Sequence, residues 1–396
     1  MDTIQQLFFS LLQNFNISYK RYFFDRVNFD EKLIGILGDR GIGKTTFLLQ
    51  YLKNSLLKLN QKLYINAEYI GMSNIQLFEI AKEFHSKGGK LLVVDEIHKL
   101  ENFEQDLKLI YDYLDLKVIF SGSSAIKLEH SKADLSRRAV LYRFQGLSFR
   151  EFLELKLNKE LPKYSLDELL ENHLEIVYSL TTEFKPLEYF KEYLEYGYYP
   201  FYFDSPKENF HIKLNETINT TIEFDLSHIF NIEPRLTIKL KQLVSLISQS
   251  KPYELNLSKL AQKIEINRNT LYQYIYYLSK GNLFNIIYSK TKGDSIFTKP
   301  QKLYLANTNL NFAYSNQIEV GTIRETFFVN QIKERFEVEY PLFWDFLVDN
   351  KYIFEVGGKN KSFEQIKDLK NSYIVADDID IGSKNKIPLW LFGFLY

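Results

Sequence analysis

The residues best suited to chemistry are Gly38-Asp39-Arg40-Gly41-Ile42-Gly43-Lys44-Thr45, which fit G-x-x-x-x-G-K-[ST] at every fixed position. Glycines there let the backbone turn tightly and aim its N–H groups at phosphate oxygens. A helix starting near Gly43 adds the partial positive charge of its N-terminus. Lys44 is placed to reach the β- and γ-phosphates, and the Thr45 hydroxyl to ligate Mg²⁺. The expected contact set is Gly38, Asp39, Arg40, Gly41, Ile42, Gly43, Lys44, Thr45 and Thr46. Within it, Arg40 reads as a surface or inter-element contact.

A phosphate loop needs partners. Asp95-Glu96 ends the apolar run LLVVDE. An acid at that point can hold Mg²⁺ opposite Thr45, and its neighbour can polarise water. Asp95 is therefore the expected metal residue and Glu96 the expected general base. The bland alternative is an acidic strand end facing solvent. Ser121-Gly122-Ser123-Ser124 follows the next apolar run. Ser121 or Ser123 would meet the γ-phosphate or the water there, unless they only cap a turn. Arg137 and Arg138 are candidates for stabilising transition-state charge, in the same chain or on a neighbouring subunit. A solvated pair is the competing reading. His98 reads as a surface or supporting side chain.

These groups must be carried by strands and helices. Apolar strands are expected at 32–37, 62–66, 91–96, 117–124 and 139–144, with helices at about 43–59, 75–87 and 102–114. Unbroken apolar strands alternating with helices imply a parallel sheet covered on both faces. Residues 1–30 read as one or two helices. The 396 residues contain no cysteine, which excludes disulfides, thiolate metal sites and cysteine nucleophiles. The N-terminus has no signal-peptide order and no run spans a bilayer, so a cytoplasmic protein without a membrane partner is expected.

Formal charge is zero by cancellation. Residues 151–230 hold 16 acidic and 7 basic side chains, whereas residues 251–302 hold 9 basic and 3 acidic ones. One basic module in a neutral chain follows.

The runs IGILGDRGIGKTTFLLQ, YINAEY, LLVVDEIHKL, KVIFSGSSAIKL and LSRRAVLYRFQGLSFREFLE resemble the prokaryotic AAA-type P-loop ATPases, in which an ATPase core precedes a winged-helix region and a C-terminal domain of unknown function. LEYGYYP (194–200) is similar to the Y-x-G-G-x-P element after that core, with Tyr198 where the second glycine would stand. The resemblance implies ATP with Mg²⁺, an acid-anhydride hydrolase and the roles given above for Lys44, Thr45, Asp95 and Glu96. It also implies a sensor at Ser121–Ser124 and a finger at Arg138.

LNLSKLAQKIEINRNTLYQYIYYLSKGNLF (255–284) reads as helix, turn, helix. Ser258 and Asn267 are the expected caps. Leu260, Ala261, Ile264, Leu271, Ile275 and Leu278 would face inward. Arg268, Asn269, Tyr272 and Gln273 would face a major groove, and Lys290, Lys292, Lys299 and Lys302 would line a wing over 283–305. Double-stranded DNA and a protein partner are both open as its ligand.

Further on, Glu325 on a helix, Asp345 at a strand start and Glu355 on the next strand resemble a restriction-endonuclease-like core. Gly357 stands where that core has its lysine, and Lys359 lies one pleat repeat further, roughly 6–7 Å. A degenerate nuclease fold used for binding is expected, with PLWLFGFLY (388–396) as a last strand.

The fold class is multidomain α/β: N-terminal helices (1–30), a P-loop core (31–155), a helical segment (156–234), a winged helix (235–305) and a small nuclease-like domain (306–396). The expected function is an ATP-binding and hydrolysing switch controlling a DNA or protein ligand. A nucleotide-gated interaction module with little turnover and an ATP-dependent nuclease are the alternatives. A homo-oligomer is expected if Arg138 serves a neighbour.

Overall fold

The computed structural model describes residues 2–71, 76–123, 135, 137–250, 256–289, 300–314, 318–341 and 343–396. The expected residues Ser124, Lys290, Lys292 and Lys299 lie outside the described residues. The chain divides into two compact units, Met1–Gly146 and Leu147–Tyr396.

The first unit is built on five parallel strands in the order β2-β3-β4-β1-β5. They are β1 (Leu33–Gly38), β2 (Lys62–Asn66), β3 (Leu91–Asp95), β4 (Lys117–Gly122) and β5 (Val140–Phe144). Every residue of β1 and β3 is buried. Their unbroken apolar sequences suit strands covered on both faces, where an alternating pattern would bury polar groups. Helices α1 (Asp2–Asn14), α2 (Lys44–Asn54), α3 (Ala67–Gly71), α4 (Leu77–Ser86) and α5 (Phe103–Tyr113) complete the unit. Helix α2 stops at Asn54, five residues before the expected end, where Ser55 turns extended. The N-terminal segment belongs to this unit. Phe8 and Phe23 are buried, and Gln50 on α2 donates to the Ile17 and Tyr19 carbonyls.

The second unit begins with the helix Phe149–Leu157, started by a reciprocal Ser148–Glu151 capping box. Its Phe149 ring packs on Phe190, Tyr193 and Phe394. That packing groups residues 149–155 with this unit and not with the sheet before it. In LEYGYYP, Tyr193–Gly197 forms a π-turn, and a Cβ on Gly197 would lie 2.3 Å from the Tyr193 ring. Tyr198 is buried and its N–H donates to Asn309.

The helices Pro234–Ser248, Leu257–Lys263 and Arg268–Lys280 are followed by an antiparallel pair, β6 (Phe284–Tyr288) and β7 (Pro300–Leu305). Leu257, Ala261, Ile264, Leu271, Ile275 and Leu278 are buried, and Leu260 half-buried. Asn267 caps the second short helix as its spacing suggests. The first is capped by Asn256 and not by Ser258, because the helix starts two residues earlier than that cap would allow. A five-stranded sheet, order β12-β11-β10-β9-β8, ends the chain: β8 (Val338–Glu339), β9 (Phe346–Val348), β10 (Tyr352–Gly357), β11 (Ser372–Ala376) and β12 (Lys386–Pro388). The helix Val320–Ile332 covers it. Residues Leu389–Phe394 form a 3₁₀ helix, not the expected last strand. All six are buried, and at Gly393 a Cβ would sit 2.4 Å from Phe149 Cβ. Their apolar sequence serves all-round burial, which periodicity cannot assign to a strand. No helix among the described residues is long and apolar enough to cross a membrane.

Candidate nucleotide site

The C-terminal ends of β1, β3 and β4 lie side by side, which brings Gly38–Thr46, Asp95–Glu96 and Ser121 together. Crevices at such strand ends are where open α/β sheets hold ligands. Gly41 and Gly43 have φ of 78° and 95°, a left-handed backbone that a side chain would strain. At Gly38 a Cβ would sit 2.4 Å from the Phe144 carbonyl oxygen. The glycine pattern is therefore a steric requirement of this loop.

Lys44 is 5% exposed, and its ammonium donates to the Gly38 and Asp39 carbonyls at 2.9 and 2.7 Å. It also lies 3.7 Å from a Glu96 carboxylate oxygen. The Thr45 residue is exposed, and its hydroxyl donates to Asp95 Oδ2 at 2.6 Å. Asp95 itself is 1% exposed. Its Oδ2 also accepts from the Tyr64 hydroxyl at 2.8 Å, and its Oδ1 accepts from the Ser121 hydroxyl. Ser121 in turn accepts from the Glu96 N–H at 3.0 Å. Burial, with the Asp95 charge beside it, pushes the Tyr64 hydroxyl far above its ordinary range. Tyr64 therefore stays protonated and is a permanent donor to Asp95.

Glu96 has a left-handed backbone, φ 55°. A non-glycine residue held there marks a position that the surroundings over-determine. Its Oε2 is buried and makes no hydrogen bond among the described residues, with His98 Nδ1 3.4 Å away. This is a carboxylate oxygen held at the site with acceptor capacity to spare.

The donor set suits a Mg²⁺-nucleotide: a backbone cradle, one ammonium, one hydroxyl and one buried carboxylate. Two supporting residues give no local sign in the sequence. Tyr64 reads there as one more strand aromatic. Arg21 is buried, donates to the Ile42, Gln145 and Gly146 carbonyls and stacks on Phe144, so it fastens the phosphate loop from behind. Ser123 is also buried beyond the end of β4, and Arg40 is half-buried.

Arg138 is placed elsewhere. It forms a two-pronged bond to the Asp112 carboxylate, at 2.9 and 3.0 Å, and lies over the Tyr111 ring. It precedes β5, whose Val140 pairs with Ile34, while Gly38 pairs with Phe144. The two ends differ by four strand residues, roughly 13 Å. The expectation of a finger acting within its own chain is corrected on that geometry.

In the second unit, Arg268, Asn269 and Gln273 are exposed and Tyr272 half-buried along one helix face. The Arg268 guanidinium lies over Tyr272 and donates to its hydroxyl. Lys302 departs from the expected wing, because it is buried against Glu325 and Asp345. Glu325, Asp345 and Glu355 do gather at one place. Besides Lys302, the lysine that reaches it is Lys361, 2.6 Å from Glu355, and not Lys359, which is exposed near Asp378. The chain turns after β10 and brings Lys361 back over Gly357, which strand parity alone does not reveal.

Comparison with known proteins agrees with the first unit. Residues 30–153 match the family model described as an AAA domain, and residues 187–317 match a domain of unknown function, DUF8612. A relative, the uncharacterized protein MJ1637 of Methanocaldococcus jannaschii, is 28% identical over 318 residues. That match covers 74% of this chain and 66% of the relative, just under two thirds of its length. Among solved structures, AMPPCP-bound DnaA from Aquifex aeolicus is 16% identical, covering 70% of this chain and 88% of that one with a TM-score of 0.26. The S. cerevisiae Hsp104-ADP complex is also 16% identical, covering 62% and 36% with a TM-score of 0.29. The AAA match and the loop geometry together support a P-loop domain of the AAA type over residues 30–153.

Proposed function

We propose that the chain is an ATP-hydrolysing switch. The observation that carries this is the joined pair at the end of β3. Asp95 is tied to the Thr45 hydroxyl, and the neighbouring Glu96 keeps a carboxylate oxygen without a hydrogen bond among the described residues. On this reading Gly38–Thr46 wraps the phosphates, and Lys44 leaves its loop carbonyls for phosphate oxygens. Thr45 and Asp95 would hold Mg²⁺, which would supply charge neutralisation for the phosphates. Glu96 accepts the proton of the attacking water, and Ser121 orients the Asp95–Glu96 turn. Ser123 is assigned to the same edge as a sensor.

The switch reading extends to the second unit. The face with Arg268, Asn269 and Gln273 exposed and Tyr272 half-buried suits a duplex groove, and the paired strands β6 and β7 would serve as its wing. A protein partner is the alternative ligand. Arg138 would serve only a neighbouring subunit of a homo-oligomer.

Phosphate release from ATP by the purified chain, with and without Mg²⁺, tests the hydrolytic reading. We expect Mg²⁺-dependent release that K44A abolishes. No release in the wild type, with or without duplex DNA, would leave the nucleotide-gated module as the better account.

A further inference from the structure

The compartment around Glu325, Asp345 and Glu355 has an occupant. The three carboxylates are 5%, 5% and 3% exposed. Lys302 on β7 is also 5% exposed, and its ammonium lies 3.1 Å from Glu325 Oε2 and 3.1 Å from Asp345 Oδ1. Buried charges persist only when they are paired and hydrogen-bonded. Here further donors also reach the acids. Tyr304 donates to Glu325, the Val356 N–H to Asp345, and the Asp345 N–H to Glu355. Lys361 closes the other side of Glu355 at 2.6 Å. The Lys302 ammonium also lies over the Phe346 and Tyr340 rings, 4.8 and 5.5 Å from their centres. Burial alone would lower the Lys302 ammonium, but the Glu325 and Asp345 charges outweigh it and hold it charged. Burial, with Asp345 nearby, pushes both the Glu325 and Glu355 carboxyls upward. Without the ammonium the three acids would repel one another in a place with little water.

We infer that Lys302 is the resident cation of this carboxylate cluster: its ammonium fills the space between Glu325 and Asp345, so the wild-type chain takes no divalent ion there. Lys302 is separated from Glu325 by 23 residues and from Asp345 by 43. One side chain therefore ties the strand pair after the helix-turn-helix to the final sheet. This inference does not depend on the nucleotide site. It makes the C-terminal module independent of metal, which suits holding a ligand and opposes cutting one.

Mn²⁺ is the probe, used on nucleotide-free protein so that the phosphate loop brings no metal of its own. Electron paramagnetic resonance should detect no Mn²⁺ bound to the wild type that is lost in E325Q. K302A frees space for an ion, while K302M keeps most of the stem packing. Each should lower Tm, and at least one should regain roughly 5 °C with Mn²⁺, as a ligand of the folded state alone would give. Adding E325Q to the responding variant should remove the gain. Wild-type Mn²⁺ binding that depends on Glu325 would overturn the inference. So would the absence of any Mn²⁺ response in both lysine variants, whether or not they fold.

Discussion

Asp95 is the residue on which the candidate site turns, because three hydroxyls converge on one carboxylate. Its neighbours differ in what they can give up. Thr45 is exposed and can turn toward a metal, whereas Tyr64 is buried with its hydroxyl on Asp95. Removing the Tyr64 hydroxyl should therefore loosen the carboxylate without touching the phosphate cradle. A hydrogen bond to a charged group contributes about 1.5–3 kcal/mol. For Y64F we expect nucleotide affinity in Mg²⁺ to fall by roughly tenfold or more, with little change in EDTA. Equal weakening under both conditions, read by titration of a fluorescent nucleotide, would show a general structural role instead. Asp95 and Glu96 stand out in the sequence because acids at the end of an apolar strand are conspicuous. Tyr64 does not, since its hydroxyl finds Asp95 only through the pairing of β2 with β3. Lys302 was open to the opposite error. A lysine in a basic stretch reads as solvated, and only the meeting of β7 with the last sheet shows it buried.

The elements that carry the site are largely legible in the sequence. All five parallel strands fall where continuous apolar runs place them, within two residues at either end. Buried parallel strands have one dominant requirement, apolar side chains on both faces, and so leave a clear signal. The 3₁₀ helix Leu389–Phe394 leaves none, because a run buried on all sides has no period to read. Support from behind the loop is equally silent. Arg21 lies before the first strand, yet it donates to three carbonyls at the loop and after β5. R21A would remove the guanidinium donor from those three carbonyls. We expect it to destabilise the first unit by about 2 kcal/mol or more and to weaken nucleotide binding in parallel. Differential scanning fluorimetry checks the first effect. Unchanged Tm would mean that the loop holds its shape without the guanidinium.

At the scale of the whole molecule, the proposed switch would couple a nucleotide site in one unit to a ligand face in the other. Charge is what makes the second part testable. Arg268 sits at the start of the outward helix, in the segment with the strongest basic excess. If duplex DNA is the ligand, affinity should fall steeply with salt, and R268A should flatten that slope by about one phosphate contact. Binding that ignores salt would point to a protein ligand. The central claim remains that the phosphate loop belongs to a hydrolytic site, and Glu96 tests it most directly. E96Q keeps the size and backbone of the residue but cannot accept the proton from water. It should bind ATP as tightly as the wild type while turnover falls about 100-fold. Full binding together with unchanged turnover would contradict the account.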